Sequence, residues 1–290
     1  MIDIKPLHPL FAAEVLDLDL VRGPDRETFA RLKDAFERYA VLVCRGQDIA
    51  DDQQIAFSEM FGELETTKVG TPGAGSKLIT LTNIGADGKV LPATDKQILS
   101  NKANRQWHAD SSFKAVPAYA SMLSARVLPS SGGNTEFISM RDVYKALPHD
   151  LKVRIDGRVA VHDFSHSRAK IDPNIVSDEE RTAVPPVRHA LVLDHGPHGK
   201  SLYLGAHVAR IEGYDETESR ALIEALMAFA QQDTFIYSHA WRPHDLVIWH
   251  NRAVLHRATP FDSARERRSM VRTTIAGKAS TLTRSRAVDC

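Results

Sequence analysis

From Ala40 to Gly277 the chain keeps returning to short runs rich in β-branched and aromatic residues, each closed by turn residues. They read "AVLVCRG" (40–46), "KLITLTNI" (77–84), "YASMLSARVL" (119–128), "NTEFIS", "RVAVHDF", "RHALVLDH", "SLYLG", "TFIYSHAW", "DLVIWHN" and "SMVRTTIAG". Runs this short and this closely spaced, with no helix of regular length between successive pairs, do not build a parallel βαβ sheet. They predict a mainly β architecture, a sandwich or double-stranded β-helix (jelly roll, cupin-like), with a few helices on the outside. Two of those helices are visible as amphipathic stripes. "RETFARLKDAFERYA" (26–40) aligns Phe29, Leu32, Phe36 and Tyr39, and "DETESRALIEALMAFAQQ" (215–232) has an acidic first turn and aligns Leu222, Leu226 and Phe229. A third, "DDQQIAFSEMFG", is expected to be capped by Asp51 or Asp52 and stopped by Gly62.

Neither a repeat nor a low-complexity tract marks a boundary, so residues 1–290 read as one domain. The polar, proline-punctuated stretch 165–186 follows neither the helical nor the strand period and is expected to be a lid or surface loop. Basic and acidic residues balance at 37 each, which gives no electrostatic footprint for nucleic acid or an anionic membrane surface. The first residues, "MIDIKPLHPLF", lack the basic flank and apolar core of a secretory signal, and the expectation is a cytoplasmic protein. With only Cys44, inside an apolar run, and Cys290 at the end, neither a disulfide framework nor a zinc site of the CxxC type is indicated.

Chemistry enters at "RQWHADSSF" (105–113), where His108 and Asp110 stand two positions apart. On an extended segment such residues share a face, so an imidazole nitrogen and a carboxylate oxygen could hold one ion, and a histidine from a neighbouring strand would complete a facial triad. With 13 histidines in the chain, one H-x-D pair is expected by chance and decides nothing alone. The far end of the chain adds weight. "WHNRAVLHRATPFDSARERRSMVRTT" (249–274) offers His250 and His256, then Arg268 and Arg272 on one side of an alternating segment. Two guanidinium groups on a buried face are costly unless they meet carboxylates, and the planar guanidinium grips a carboxylate through two parallel hydrogen bonds.

In combination these words resemble the taurine dioxygenase/TfdA family of Fe(II)- and 2-oxoglutarate-dependent oxygenases. The H-x-D pair, Thr135 27 residues after His108, His256, and Arg268 12 residues past His256 carry the likeness. "LHPLFAA", "VLVCRGQ", "DDQQIAF", "NRQWHADSSF", "YASMLSA", "PSSGGNTEF", "SMRDVYKALP", "GAH" (205–207) and "NRAVLHR" extend it through most of the chain, closest to members acting on phenoxyacetates. The resemblance implies that His108, Asp110 and His256 ligate Fe(II), and that Thr135 and Arg268 receive the distal carboxylate of 2-oxoglutarate. It implies that Arg272, helped by Lys68, the backbone amide of Ser112 and His207, meets the carboxylate of an acidic aromatic substrate, and that dioxygen is the co-reactant in a homo-oligomeric enzyme. No protein nucleophile or general base is needed for that chemistry, and neither G-x-S-x-G nor HExxH occurs.

One departure is visible: where the family commonly has W-D-N-R, this chain reads Trp249-His250-Asn251-Arg252, which exchanges a carboxylate for a rival ligand. Within the same chemistry a sulfonate such as taurine or another small carboxylate is an alternative substrate. A zinc hydrolase or a cupin-like module that merely holds a ligand is the alternative outside it.

Overall fold

The computed structural model describes residues 2–66, 75–173 and 175–282, without the side chains of Lys96 and Ser100. Its centre is a seven-stranded sheet in the order Asp3–Pro6, Ala13–Leu16, Val41–Cys44, Leu246–His250, Ala120–Val127, Ser269–Ile275, Ile79–Thr82. All neighbours run antiparallel except Ala13–Leu16 against Val41–Cys44. A second sheet orders Ile236–His239, Thr135–Ser139 and Val254–Ala258, and a third orders Val208–Ile211, Val159–His162 and Val187–Ala190. Strands adjacent in space but distant in sequence are the mark of the expected jelly-roll arrangement.

Period-two alternation explains how the large sheet is covered on both faces. In Val41–Cys44, Val41 and Val43 point into a core with Leu123, Val247 and Trp249 of the same sheet and Phe137 and Val254 of the second sheet. Leu42 and Cys44 point the other way and pack, with Met122, Leu246 and Ile248, against Leu32 and Phe36 of the helix Arg26–Tyr39 and against Phe57 and Phe61. Both faces are dry, so the strand is a continuous apolar run rather than an alternating one. Burying Leu32 and Phe36 contributes about 1.5–3 kcal/mol each, and Asp25 fixes where that helix starts by accepting from the Thr28 amide at 2.8 Å. The helix Glu216–Ala230 lays fully buried Leu222 and Leu226 on a further core with Ile138, Val208 and Leu255. Among the described residues no helix is long and apolar enough to cross a membrane.

Some expectations change. The stretch 165–186 is not featureless: it enters on the helix Phe164–Ala169 and contains the helix Asp178–Ala183. Each is six residues long, too short to display a period, and each is set by a cap: Asp163 accepts from Ser165, and Ser177 and Glu180 cap reciprocally. Neither Asp51 nor Asp52 caps the helix Asp51–Glu59; Ala50 occupies the cap position, its amide bonded to Gln53 Oε1 at 2.8 Å, while Asp51 pairs with Arg126. Three further seven-residue helices, Lys96–Lys102, Met140–Ala146 and His149–Ile155, escaped the sequence reading for the same reason of length.

Candidate metal centre

The H-x-D segment is pinned by a single two-residue bridge rather than by a full strand. His108 N donates to His256 O at 3.0 Å and His256 N returns the bond to His108 O at 2.9 Å, so two histidines 148 positions apart lie opposite each other. Asp110 follows at the start of a turn in which Ser111 adopts a positive φ of 53°. Gly205 lets a neighbouring segment pass close to this bridge. A Cβ there would sit 3.1 Å from Trp107 O and 3.4 Å from His108 Cα.

These constraints gather three buried donors. One ligand atom from each of His108, Asp110 and His256 lies within 4.8 Å of the others; His108 Nε2 is 3.9 Å from Asp110 Oδ1 and His256 Nε2 is 3.7 Å from Asp110 Oδ2. Donors placed cis around one ion at about 2.1 Å stand about 3 Å apart, so small movements would seat a divalent cation. The donor chemistry fits as well. Burial drives the pKa of both imidazoles down, that of His256 well below its ordinary value, which keeps them neutral. Burial opposes ionisation of Asp110, but the Arg272 guanidinium and the Ser121 hydroxyl outweigh it and hold the carboxyl well below its usual range. Neutral imidazoles and an ionised carboxylate are the forms a metal requires. His108 Nδ1 is 2.8 Å from Gln106 O, a contact that places its proton on Nδ1 and leaves Nε2 for the ion.

Two residues that the sequence reading passed over fix the carboxylate. Ser121 Oγ donates to Asp110 Oδ2 at 2.7 Å, and Asn251 Nδ2 donates to Ser121 Oγ at 2.9 Å. Asn251 Oδ1 accepts from Asp110 N at 3.2 Å and from Trp249 Nε1 at 3.0 Å. Asn251 stood inside the quoted word "NRAVLHR". Ser121 is one of two buried serines on the strand Ala120–Val127, and nothing in the sequence separates it from Ser124.

The arginines divide. Arg272 Nη1 donates to Asp110 Oδ1 at 2.5 Å, so it belongs to the metal cluster's immediate surroundings. Arg268 lies just before the strand, and a register shift between Ser269 and Met270 breaks the simple alternation expected for the pair. Its position comes instead from Asn83, whose Oδ1 accepts from Arg268 N at 2.8 Å, and from Gly133, whose carbonyl accepts from Nη2 at 3.2 Å. A Cβ on Gly133 would press on the guanidinium at 3.2 Å, so glycine, with φ 66°, is the residue that fits. Among the described residues Arg268 has no ion pair, its buried Nε has no acceptor, and burial pushes its pKa down to about 10. Thr135, two positions beyond Gly133, is buried with Oγ1 accepting from Trp241 Nε1 at 3.0 Å. It pairs with Ala258 on the strand that carries His256.

His207 and Ser112 meet through their side chains, Nδ1 to Oγ at 3.0 Å, so the serine hydroxyl, rather than its amide, is the contact found here. The His207 ring centroid lies 6.5 Å from that of His108 and 5.1 Å from that of Phe113, which in turn lies 5.0 Å from Phe164. Burial holds the His207 pKa well below its ordinary value. Lys68 falls outside the described residues. His250 does not join the cluster: it stacks on Phe36 at 5.5 Å and sits 3.9 Å from Glu37 Oε2.

Comparison with known proteins gives the same direction. The family model described as taurine catabolism dioxygenase TauD, TfdA family matches residues 3–274. The chain is 41% identical over 277 residues to the alpha-ketoglutarate-dependent 2,4-dichlorophenoxyacetate dioxygenase of Cupriavidus pinatubonensis, covering 93% of this chain and 96% of that one. It is 36% identical to the (S)-phenoxypropionate/alpha-ketoglutarate-dioxygenase of Sphingobium herbicidovorans, with 95% of each chain covered. The crystal structure of AAD-2 in complex with Mn(II) and N-oxalylglycine superimposes with a TM-score of 0.90 at 39% identity, covering 97% of this chain and 99% of that one.

Proposed function

Because the chain belongs to the TauD/TfdA family, we propose that it is an Fe(II)- and 2-oxoglutarate-dependent dioxygenase that hydroxylates an aryloxyacetate such as 2,4-dichlorophenoxyacetate. The products are a phenol and glyoxylate, with succinate and CO2 from the cosubstrate. One observation supports this reading above the others: in addition to a two-histidine, one-carboxylate cluster the protein holds a buried guanidinium, that of Arg268, which makes no ion pair among the described residues. A keto diacid suits that pair of features, since one end can meet the metal and the other the arginine.

When bound, the iron with the keto acid supplies the oxidising chemistry. The chain's own residues supply placement. His108 and His256 offer neutral nitrogens, and Asp110 is held at both oxygens, by Ser121 on one side and Arg272 on the other. Arg268 and the Thr135 hydroxyl would receive the distal carboxylate of 2-oxoglutarate and so set the length of the acid accepted. Arg272, whose Nε has no acceptor among the described residues, would share its remaining donors with the substrate carboxylate. That placement brings the methylene between carboxylate and ether oxygen nearest the metal. Hydroxylation there gives a hemiacetal that breaks into the phenol and glyoxylate. The Ser112–His207 pair stands beside the metal ligand His108 and, being neutral, would donate or accept a hydrogen bond without adding charge. Lys68 would assist at the same carboxylate.

Residues 1–290 form the one catalytic domain on this reading, with 165–186 as a lid through which Phe164 reaches the Phe113 side of the site. The enzyme acts in the cytoplasm as a homo-oligomer. Succinate formation across aryloxyacetates, alkylsulfonates and other small acids tests the assignment. Aryloxyacetate-dependent succinate with stoichiometric phenol is expected; sulfite release from taurine with no phenol from any aryloxyacetate would overturn the substrate class.

A further inference from the structure

A groove of about 520 Å3 lies between the end of the helix Arg26–Tyr39, the helices Met140–Ala146 and His149–Ile155, and the turn leading into Lys200. None of the described residues assigned above to metal, cosubstrate or substrate lines it. Its lining brings together Arg38, Arg141, Lys145, Lys152, His198 and Lys200. The one carboxylate in the lining, Asp142, is already bonded to the Ser139 hydroxyl. In a chain whose charges balance overall, this is a local excess of positive charge. Among the described residues Arg38, Lys145, Lys152 and Lys200 make no ion pair; Lys152 donates instead to the Lys145 carbonyl.

The inner wall carries the second observation. The Arg141 side chain is only 10% exposed, yet among the described residues its Nε and Nη2 have no hydrogen-bond acceptor. Nη1 donates to the Glu37 carbonyl, and the nearest carboxylate, that of Glu37, is 3.9 Å from Nη2. That carboxylate is already shared: it accepts from the Tyr119 hydroxyl and lies 3.9 Å from His250 Nε2. Buried guanidinium donors left without acceptors are costly, and several cations converging on one concave space repel one another; an anion with many acceptor oxygens relieves both. A monoanion or a dicarboxylate would engage only part of this set. Phosphoryl groups, with several charged oxygens each, match the donors in number, and the exposed Leu10 supplies an apolar edge for an organic portion. The volume falls within the range of small-molecule sites.

We propose that this groove is a second ligand site, for a small organic polyphosphate of the nucleoside di- or triphosphate class, with Arg141 as its buried anchor and Lys145, Lys152 and Lys200 at its rim. The site is independent of the oxygenase reaction proposed above. Calorimetric titration of the intact metal-free chain with ATP, ADP and AMP tests it, with Arg268→Ala as the control for nucleotide entering the oxygenase site. Expected are saturable one-to-one binding in the order ATP, ADP, AMP and an affinity for ATP about tenfold or more weaker in Lys145→Glu/Lys200→Glu, as follows from losing two charge-assisted contacts. Both lysines are exposed, so that variant should fold, which its circular dichroism spectrum checks. Arg268→Ala should bind ATP like the parent. Absence of saturable binding, equal affinity for the three nucleotides, an unchanged affinity in the double variant, or loss of binding in Arg268→Ala would each overturn the proposal.

Discussion

Replacing Arg268 by methionine separates a ligand-receiving arginine from a structural one. A structural arginine is paired, and removing it strands its partner and destabilises the fold by about 3–5 kcal/mol. Arg268 has no such partner: among the described residues its side chain makes one hydrogen bond, to Gly133 O at 3.2 Å, and its Nε has none. The fall of its pKa to about 10 through burial means that the folded protein disfavours the charged form. At about 1.36 kcal/mol per decade this is on the order of 3 kcal/mol, an upper figure because part of the residue remains accessible and screened. Methionine, of similar length and without charge, should therefore leave the ligand-free protein as stable as before or more stable. Binding should move the other way. Two charge-assisted bonds to the distal carboxylate are worth about 3–5 kcal/mol, or about two to nearly four orders of magnitude in affinity. Thermal unfolding with and without 2-oxoglutarate, in the presence of Mn(II), reads both effects at once. The parent should be stabilised by 2-oxoglutarate and Arg268→Met should not, from an equal or higher starting Tm. A variant that unfolds several degrees earlier and still responds to 2-oxoglutarate would refute the reasoning.

Other consequences follow from the same geometry. Asn251→Ala removes the groups that hold Ser121 and the Asp110 backbone, so Mn(II) affinity measured by competition with a chelator should fall about tenfold to a hundredfold while the fold persists; unchanged affinity would assign Asn251 to packing alone. Arg272→Ala should raise the Michaelis constant for the aryloxyacetate and, by removing the cation from Asp110 Oδ1, also weaken the metal at low pH. Arg268→Met should leave metal binding intact, and identical phenotypes would contradict the division between the two arginines. His189 is buried, and burial lowers its pKa from 6.5 to about 4. Between those values the unfolded chain binds a proton that the folded chain does not, so stability is complete above about pH 6.5 and declines on acidification, by up to about 3 kcal/mol at pH 4 from this group. Denaturant unfolding at pH 7 and pH 4.5 should show a smaller loss in His189→Asn than in the parent, and equal losses would exclude this histidine as a source.

The β-rich architecture was legible because short β-branched runs with turn residues between them leave few alternatives, and the helix Arg26–Tyr39 because its stripe spans four turns. The helices of six or seven residues were not, since a single stripe residue or a cap decides them and neither produces a period. At the site, His108 and Asp110 stood out by type and spacing, while His256 was separated from its rival His250 only by the family resemblance; the backbone bridge between His108 and His256 brings the three together. The pairing of Arg268 and Arg272 on one face was reasoned from strand alternation. The register shift at Ser269 interrupts that alternation, and it is Asn83 and Gly133 that position Arg268. Ser121 and Asn251 lay beyond spacing arguments because their roles arise from a cross-strand contact between residues 130 positions apart. The exchange that gives His250 places its ring against Phe36 and Tyr119, outside the His108–Asp110–His256 cluster, a location that depends on how the helix Arg26–Tyr39 docks on the sheet.

A crystal grown with Mn(II) and N-oxalylglycine, with anomalous data at the manganese edge, addresses the central point most directly. One peak is predicted, bonded at about 2.0–2.3 Å to His108, Asp110 and His256, with the far carboxylate of the ligand on Arg268 and Thr135. A manganese ion bound elsewhere, or a ligand whose far carboxylate rests on Arg272 while Arg268 stays empty, would contradict the account.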